Sequence, residues 1–135
     1  IMEFQLGDSE EMSFADNAFD IATVSFGARN FEHLEKGLGD MHRVLKKGGS
    51  ICVLEFSQPQ AFPIKQVYTF YSRYIMPGIG KLVSKDKAAY TYLPESVQVF
   101  PYGEKFAEVL RKVGFSDVEI HPVTGGIACI YIAKA

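Results

Sequence analysis

Three observations predict an α/β fold built on parallel strands. Two apolar, β-rich runs, FDIATVSF at 19–26 and SICVLEF at 50–56, flank a segment where Leu34, Leu38, Met41 and Leu45 recur at helical spacing. Strands with little polar alternation read as covered on both faces, and strand, helix, strand in that order is the right-handed crossover unit of doubly wound folds. The third observation lies at the end of the chain. FSDVEIHPV and GIACIYIAKA alternate around Thr124-Gly125-Gly126, which predicts an antiparallel hairpin.

The remaining elements follow in order. EFQLG at 3–7 is a short strand candidate that stops at Gly7-Asp8. The crossover helix is expected to end at Gly48-Gly49, after Lys46-Lys47 has placed positive charge at its negative dipole end. From Pro63 to Val99 the periodicity is helical, interrupted at Met76-Pro77-Gly78 and Leu93-Pro94, so two or three short helices are expected. Over 103–113, Phe106, Val109, Leu110 and Val113 share one helical face, ended by Gly114. A doubly wound nucleotide-type fold normally opens with a strand, a glycine-rich turn and a helix. This chain opens instead with a strand that ends in an acid, so the front half of the fold is expected to be absent.

At 135 residues the chain is sized for one domain or part of one. With 47% hydrophobic and 22% charged residues it is neither disordered, collagen-like nor a disulfide scaffold. It has no run of about 18 apolar residues, and its first residues are acidic where a secretory signal is basic, so neither export nor membrane spanning is expected. Cys52 and Cys129 each sit in an apolar run and read as buried free thiols rather than a disulfide or zinc pair. Residues 1–40 carry nine acids against two bases, and the remainder seven against twelve, which is not a nucleic-acid-binding profile. Lys65, Arg73, Lys81, Lys85 and Lys87 are opposed over that stretch only by Asp86. They make either solvated helix faces or a weakly basic surface that meets an anionic ligand or membrane.

Candidate chemistry gathers at the carboxyl ends of the strands, where open parallel sheets bind ligands. Asp8 and Ser9 follow the first strand candidate and serve either as a turn cap or as acceptors for a ligand. Ser25, Gly27, Arg29 and Asn30 follow the next strand. A guanidinium fork there suits an oxygen-bearing ligand, or else pairs locally with Glu32 or Glu35. Glu55 stands inside an apolar strand and needs a partner or a cavity, because a lone buried carboxylate is costly. Nine of the eighteen aromatic residues, with six of the seven tyrosines, lie between Phe62 and Tyr102. Tyr68, Tyr71 and Tyr74, followed by Tyr90 and Tyr92, make either a helix-packing stripe or an apolar pocket with hydroxyls at its rim. Gly78-Ile79-Gly80 lacks the preceding strand a phosphate loop needs and reads as a helix break. His33, His42 and His121 show no metal-ligand spacing, His42 reads as structural, and no serine or cysteine has a nucleophile's context.

Ser9-Glu10-Glu11-Met12-Ser13-Phe14, Phe19-Asp20, SFGARN at 25–30 and above all RVLKKGGSICVLEFS at 43–57 resemble the ubiquinone/menaquinone biosynthesis C-methyltransferases. The resemblance continues through SKDKAAYTYLPES and TGGIACIY, with Lys47 in place of the usual proline. It implies an incomplete Rossmann-like class I methyltransferase fold, of sheet order 3-2-1-4-5-7-6, in which EFQL is strand three and the first two strands and the glycine-rich loop are missing. It also implies cofactor-side elements over 1–60, a substrate-side helical segment over 61–102, and a closing helix and hairpin over 103–135. The implied reaction is metal-free methyl transfer from S-adenosylmethionine to a ring carbon of a polyprenyl quinol, demethylmenaquinol or a ubiquinone-pathway benzoquinol. By similarity Asp8, Ser9 and Ser25 contact the cofactor, Arg29 and Asn30 face the quinol oxygens, and Tyr71, Tyr90 and Tyr92 line the substrate pocket.

On this reading the chain alone is expected to be inactive, to bind the cofactor weakly or not at all, and to self-associate through the edge that the missing strands expose. A cytoplasmic location with peripheral contact at the inner face of a membrane is expected. A non-catalytic quinone- or lipid-binding or scaffold module is the alternative. A nicotinamide-dependent reductase is disfavoured, since the chain has neither the dinucleotide loop nor a Tyr-x-x-x-Lys pair.

Overall fold

A computed structural model of the chain describes residues 2–76, 78, 92 and 96–135. The apolar run at 19–26 forms β1 (Phe19–Ser25), and β2 (Leu45–Phe56) lies parallel to it after the crossover helix α1 (Leu34–Val44). Helix α2 (Ile64–Phe70) continues into a π-helical turn at Tyr71–Ile75. Helix α3 (Glu104–Lys112) then leads into the hairpin of β3 (Ser116–Val123) and β4 (Ala128–Lys134). The strand order is β1-β2-β4-β3, with β4 antiparallel to both neighbours. This is the 4-5-7-6 run of the order that the resemblance implies.

One face of the sheet carries the core. Successive side chains in a strand point to opposite faces, and in β2 Ile51, Val53 and Glu55 are buried while Cys52, Leu54 and Phe56 are half-buried. Ile51 and Val53 join Leu38 and Met41 of α1, Phe106 and Leu110 of α3, and Cys129, Tyr131 and Ala133 of β4 in a single cluster. His42 stays structural as expected, its ring meeting that of Phe115 edge-on at 4.9 Å.

Four expectations are corrected. Residues 3–7 form no strand: Phe4 and Leu6 are exposed, and β1 pairs only with β2 among the described residues, so EFQL has no ladder to join. β1 is covered on one face rather than two: Ala22 and Val24 pack on the core, while no described element covers the opposite face, where Ile21 is 64% exposed. Cys129 is buried, but Cys52, on the opposite face, is only half-buried.

The fourth correction is the end of α1. The helix stops at Val44, and Leu45 turns extended at φ −78°, ψ 140°, four residues before the glycines cease. The β1–β2 register then jumps from Phe19↔Leu45 to Ile21↔Ser50, so Lys46 to Gly49 loop out of the ladder. Gly48 has φ +77°, and a Cβ on Gly49 would stand 2.8 Å from the Lys46 carbonyl and 2.9 Å from that of Asp20. The two glycines therefore serve a bulge, where a left-handed residue and a close backbone approach are both needed. Gly48 N–H donates to the Ala135 carbonyl at 2.8 Å, tying this bulge to the end of β4.

Candidate functional site

β1 delivers its last residues to the carboxyl rim of the sheet, and a turn over Ala28–Asn30 follows directly. Phe26 sits there at φ +52°, a left-handed conformation that bulky residues seldom adopt. Its N–H donates to the Leu54 carbonyl at 2.8 Å, and its carbonyl accepts from Arg29 Nη1 at 2.6 Å. Arg29 thus points back over the strand ends. Its partner is Glu55, not Glu32 or Glu35: Nη1 lies 2.8 Å from Oε1, and the Arg29 backbone N–H donates to Oε2 at 3.2 Å.

The Arg29 side chain is 12% exposed and that of Glu55 is fully buried. The strand acid therefore has the partner its burial requires. The guanidinium carbon also lies 5.2 Å from the centre of the Phe56 ring, which touches the Phe26 ring at 4.6 Å between centroids. Phe56 in turn lines a cavity of about 250 Å³ with Tyr68, Tyr71, Ser72, Met76, Val97 and Ile127. A cation thus lies on a ring that also forms the wall of an apolar cavity.

Asn30 and Tyr92 come together, the tyrosine hydroxyl donating to Asn30 Oδ1 at 3.0 Å. Tyr71 lines this cavity although 41% exposed, and Tyr74, in the same π-helical turn, is more exposed and outside the lining. Burial pushes the pKa of the Tyr68 hydroxyl up, disfavouring its ionised form. Tyr90 and most of the Gly78-Ile79-Gly80 run lie outside the described residues. Ser25 ends β1 opposite Leu54 and is exposed. Phe26 and Phe56, which join the guanidinium to the cavity, were missed by sequence reasoning; the alternation of β2, which sets Phe56 on the face away from Glu55, was the available signal.

Asp8 caps a turn, its Oδ1 accepting from Glu10 N–H at 2.8 Å. Its carboxylate is otherwise exposed, and with Ser9 it lines a cavity of about 230 Å³ that includes Leu6, Met12 and Phe14. An exposed carboxylate beside a hydroxyl and apolar walls fits the amino edge and face of an adenine. Glu10, from the same turn, accepts from the His33 backbone N–H at 2.7 Å, and this bond is the main cause that lowers its pKa.

This loop is held to α1 by a clamp absent from the sequence reading. Arg43 reaches Asp40 at 2.7 Å, Asp16 at 2.7 Å and the carbonyls of Phe14 and Met12 at 2.8 and 2.9 Å, while Met12 N–H donates to Asp40 at 2.7 Å. The i,i+3 spacing of Asp40 and Arg43 on a helix was its only signal. Hydrogen bonding from Arg43 is the main cause that holds the Asp40 carboxyl below its usual pKa. A carboxyl lowered by folding stabilises above its unfolded pKa and loses that contribution as pH falls through its folded value. Asp40→Asn is therefore expected to destabilise the protein at neutral pH and to flatten its stability between about pH 5 and pH 2. Urea denaturation across that range, with an unchanged slope for the variant, would refute the clamp.

The ubiE/COQ5 methyltransferase family matches residues 1–135. The demethylmenaquinone methyltransferase of Bacteroides fragilis is 49% identical over 132 residues, covering 98% of this chain and 54% of that protein. That of Porphyromonas gingivalis is 40% identical over 129 residues, 96% of this chain and 53% of that one. The ubiquinone/menaquinone biosynthesis C-methyltransferase UbiE of Klebsiella pneumoniae is 42% identical over 130 residues, 96% and 52% respectively. The chain spans about half the length of these curated relatives.

Among solved structures, a S-adenosylmethionine-dependent methyltransferase of Thermotoga maritima superposes with TM-score 0.62 at 17% identity, over 95% of this chain and 61% of that one. One from Aquifex aeolicus gives 0.61 at 15% identity, over 97% and 53%. These likenesses identify the fold as part of the Rossmann-like methyltransferase fold. A sheet of that fold, with the family's sequence pattern running from the first residue to the last, makes this chain a member of the ubiE/COQ5 methyltransferase family.

Proposed function

We propose that the protein to which this chain belongs methylates a ring carbon of a polyprenyl quinol, with demethylmenaquinol as the first choice of substrate. The observation that carries the reading is the junction at Phe56, where a nearly buried guanidinium meets an apolar cavity, in a chain 40–49% identical to demethylmenaquinone methyltransferases. A quinol has the matching halves: ring oxygens for Arg29 and a prenyl tail for the cavity of Tyr68, Tyr71 and Met76. S-adenosylmethionine, when bound, supplies the electrophilic methyl group. Asp8 and Ser9 hold its adenine side and Ser25 lines its site. Arg29 stabilises the oxyanion left when a quinol hydroxyl gives up its proton, which makes the ring carbon nucleophilic. Asn30, oriented by Tyr92, offers its amide N–H to the second oxygen.

The test is transfer of labelled methyl to demethylmenaquinol, with a benzoquinol in parallel, by the full-length protein. Tight quinone binding with no transfer would support the non-catalytic module instead. Arg29→Lys is expected to lower turnover by about tenfold or more while changing cofactor affinity little, since lysine keeps the charge and loses the planar fork. Unchanged turnover would make Arg29 purely structural.

The 135-residue chain by itself is expected to be inactive and to bind S-adenosylmethionine weakly. It is also expected to self-associate through β1, whose free edge bears no lysine or proline to discourage pairing. Micromolar binding in titration calorimetry, or a monodisperse monomer in light scattering, would count against these two points. Peripheral contact with an anionic membrane is supported by exposed Val67, Phe70 and Tyr74 beside Lys65 and Arg73. No described helix is long and apolar enough to cross a membrane. Failure of the full-length protein to sediment with anionic phospholipid vesicles would remove the contact.

A further inference from the structure

Glu55 is the only charged side chain among the described residues that is fully buried in the core. Stability is a poor reason for its presence, since apolar side chains of the same size serve a core as well as an ion pair or better. Its three hydrogen-bond partners among the described residues are all donors: Arg29 Nη1 at 2.8 Å and Phe56 N–H at 2.9 Å on Oε1, and Arg29 N–H at 3.2 Å on Oε2. The guanidinium is gripped from the other side by the carbonyl of Phe26, itself in the left-handed region. In this pose Arg29 Nε is buried with no hydrogen-bond partner among the described residues. An orientation that leaves a buried donor unpaired is imposed on the arginine by its surroundings, and such constraint gathers at functional sites.

We propose that Glu55 is a positioning residue for methyl transfer, fixing the plane and direction of the Arg29 guanidinium against Phe56 so that its charge meets a quinol oxygen at the mouth of the cavity. This rests on the quinol methylation proposed above. A carboxylate is required. Glutamine is of equal size, but an amide nitrogen in place of either oxygen would face an N–H, so it loses at least the bond from the Arg29 backbone together with the charge that holds the guanidinium.

In the full-length enzyme, Glu55→Gln is expected to lower kcat by about 10- to 100-fold, with the dissociation constant for S-adenosylmethionine within about twofold of wild type. Because Glu55 acts through Arg29, the Glu55→Gln, Arg29→Ala double variant is expected to be no slower than Arg29→Ala alone. Retained kcat in Glu55→Gln, or losses that multiply in the double variant, would overturn the proposal. Should Glu55→Gln not fold, nitrogen-15 spectra of the wild-type arginine side chains decide: slow rotation of the Arg29 guanidinium supports the grip, and free rotation overturns it. A wild-type enzyme that fails to methylate any quinol would refute the quinol reading, and the same spectra would still decide the grip.

Discussion

Replacing Arg29 by methionine is expected to lower the free energy of unfolding by about 3–5 kcal/mol, the cost of breaking a buried ion pair from one side. Glu55 would keep its place in the core and lose one of its three described hydrogen bonds, the one from the guanidinium. The Arg29 backbone N–H and Phe56 N–H remain, but the counter-charge 2.8 Å away is gone. Methionine also releases the Phe26 carbonyl, which then has no reason to hold Phe26 at φ +52°. The paired change Arg29→Met, Glu55→Leu removes both charges together and is expected to recover most of the loss, since two apolar residues of similar volume often replace a buried pair without cost. Denaturant unfolding of the single and double variants provides the measurement. A single variant that unfolds within about 1 kcal/mol of wild type would mean that water or a neighbour compensates Glu55.

This pair shows how far the sequence carries the site. That Glu55 needs a partner follows from one acid beside five apolar residues in SICVLEF, because the cost of a buried charge does not depend on the fold. Which base it meets depends on a turn of three residues after β1, since sequence proximity alone would pair Arg29 with Glu32 or Glu35, whereas its hydrogen bonds among the described residues go to Glu55 and the Phe26 carbonyl. The crossover, the closing helix and the hairpin were legible because each is a local period bounded by a glycine or a turn. Helix α1 ended early for a different reason: Leu45 is buried, and pairing it with Phe19 in the sheet outweighs one more helical turn toward Gly48. EFQL failed as a strand because a strand is a property of a pair, and propensity speaks only for one member. The tyrosine stripe broke at the π-helical turn, which no spacing rule of 3.6 residues anticipates.

Phe106→Ala is expected to cost about 3–5 kcal/mol, the range for removing a buried aromatic ring from a core that cannot close over the gap. Phe106 is the largest residue of α3 in the core, fully buried, with its ring 4.6 Å from that of Tyr131 and 5.3 Å from that of Phe100. Collapse into the vacated volume would require Tyr131 to move. That ring is tethered at its far end, where the hydroxyl accepts from Gly103 N–H at 2.7 Å at the head of the same helix, and burial holds the hydroxyl protonated well above its usual range. Alanine would therefore leave a cavity between α3 and β4 rather than a repacked core, and the loss should fall toward the upper end. Phe106→Leu, which fills most of the volume, is expected to cost clearly less. Tyr131→Phe keeps the ring and removes only the tether, so combining it with Phe106→Ala should cost less than the two changes summed, because the freed ring can then settle into the gap. Urea unfolding of the three single variants and this double variant measures each quantity. Strict additivity would show that the hydroxyl bond does not hold the ring in place.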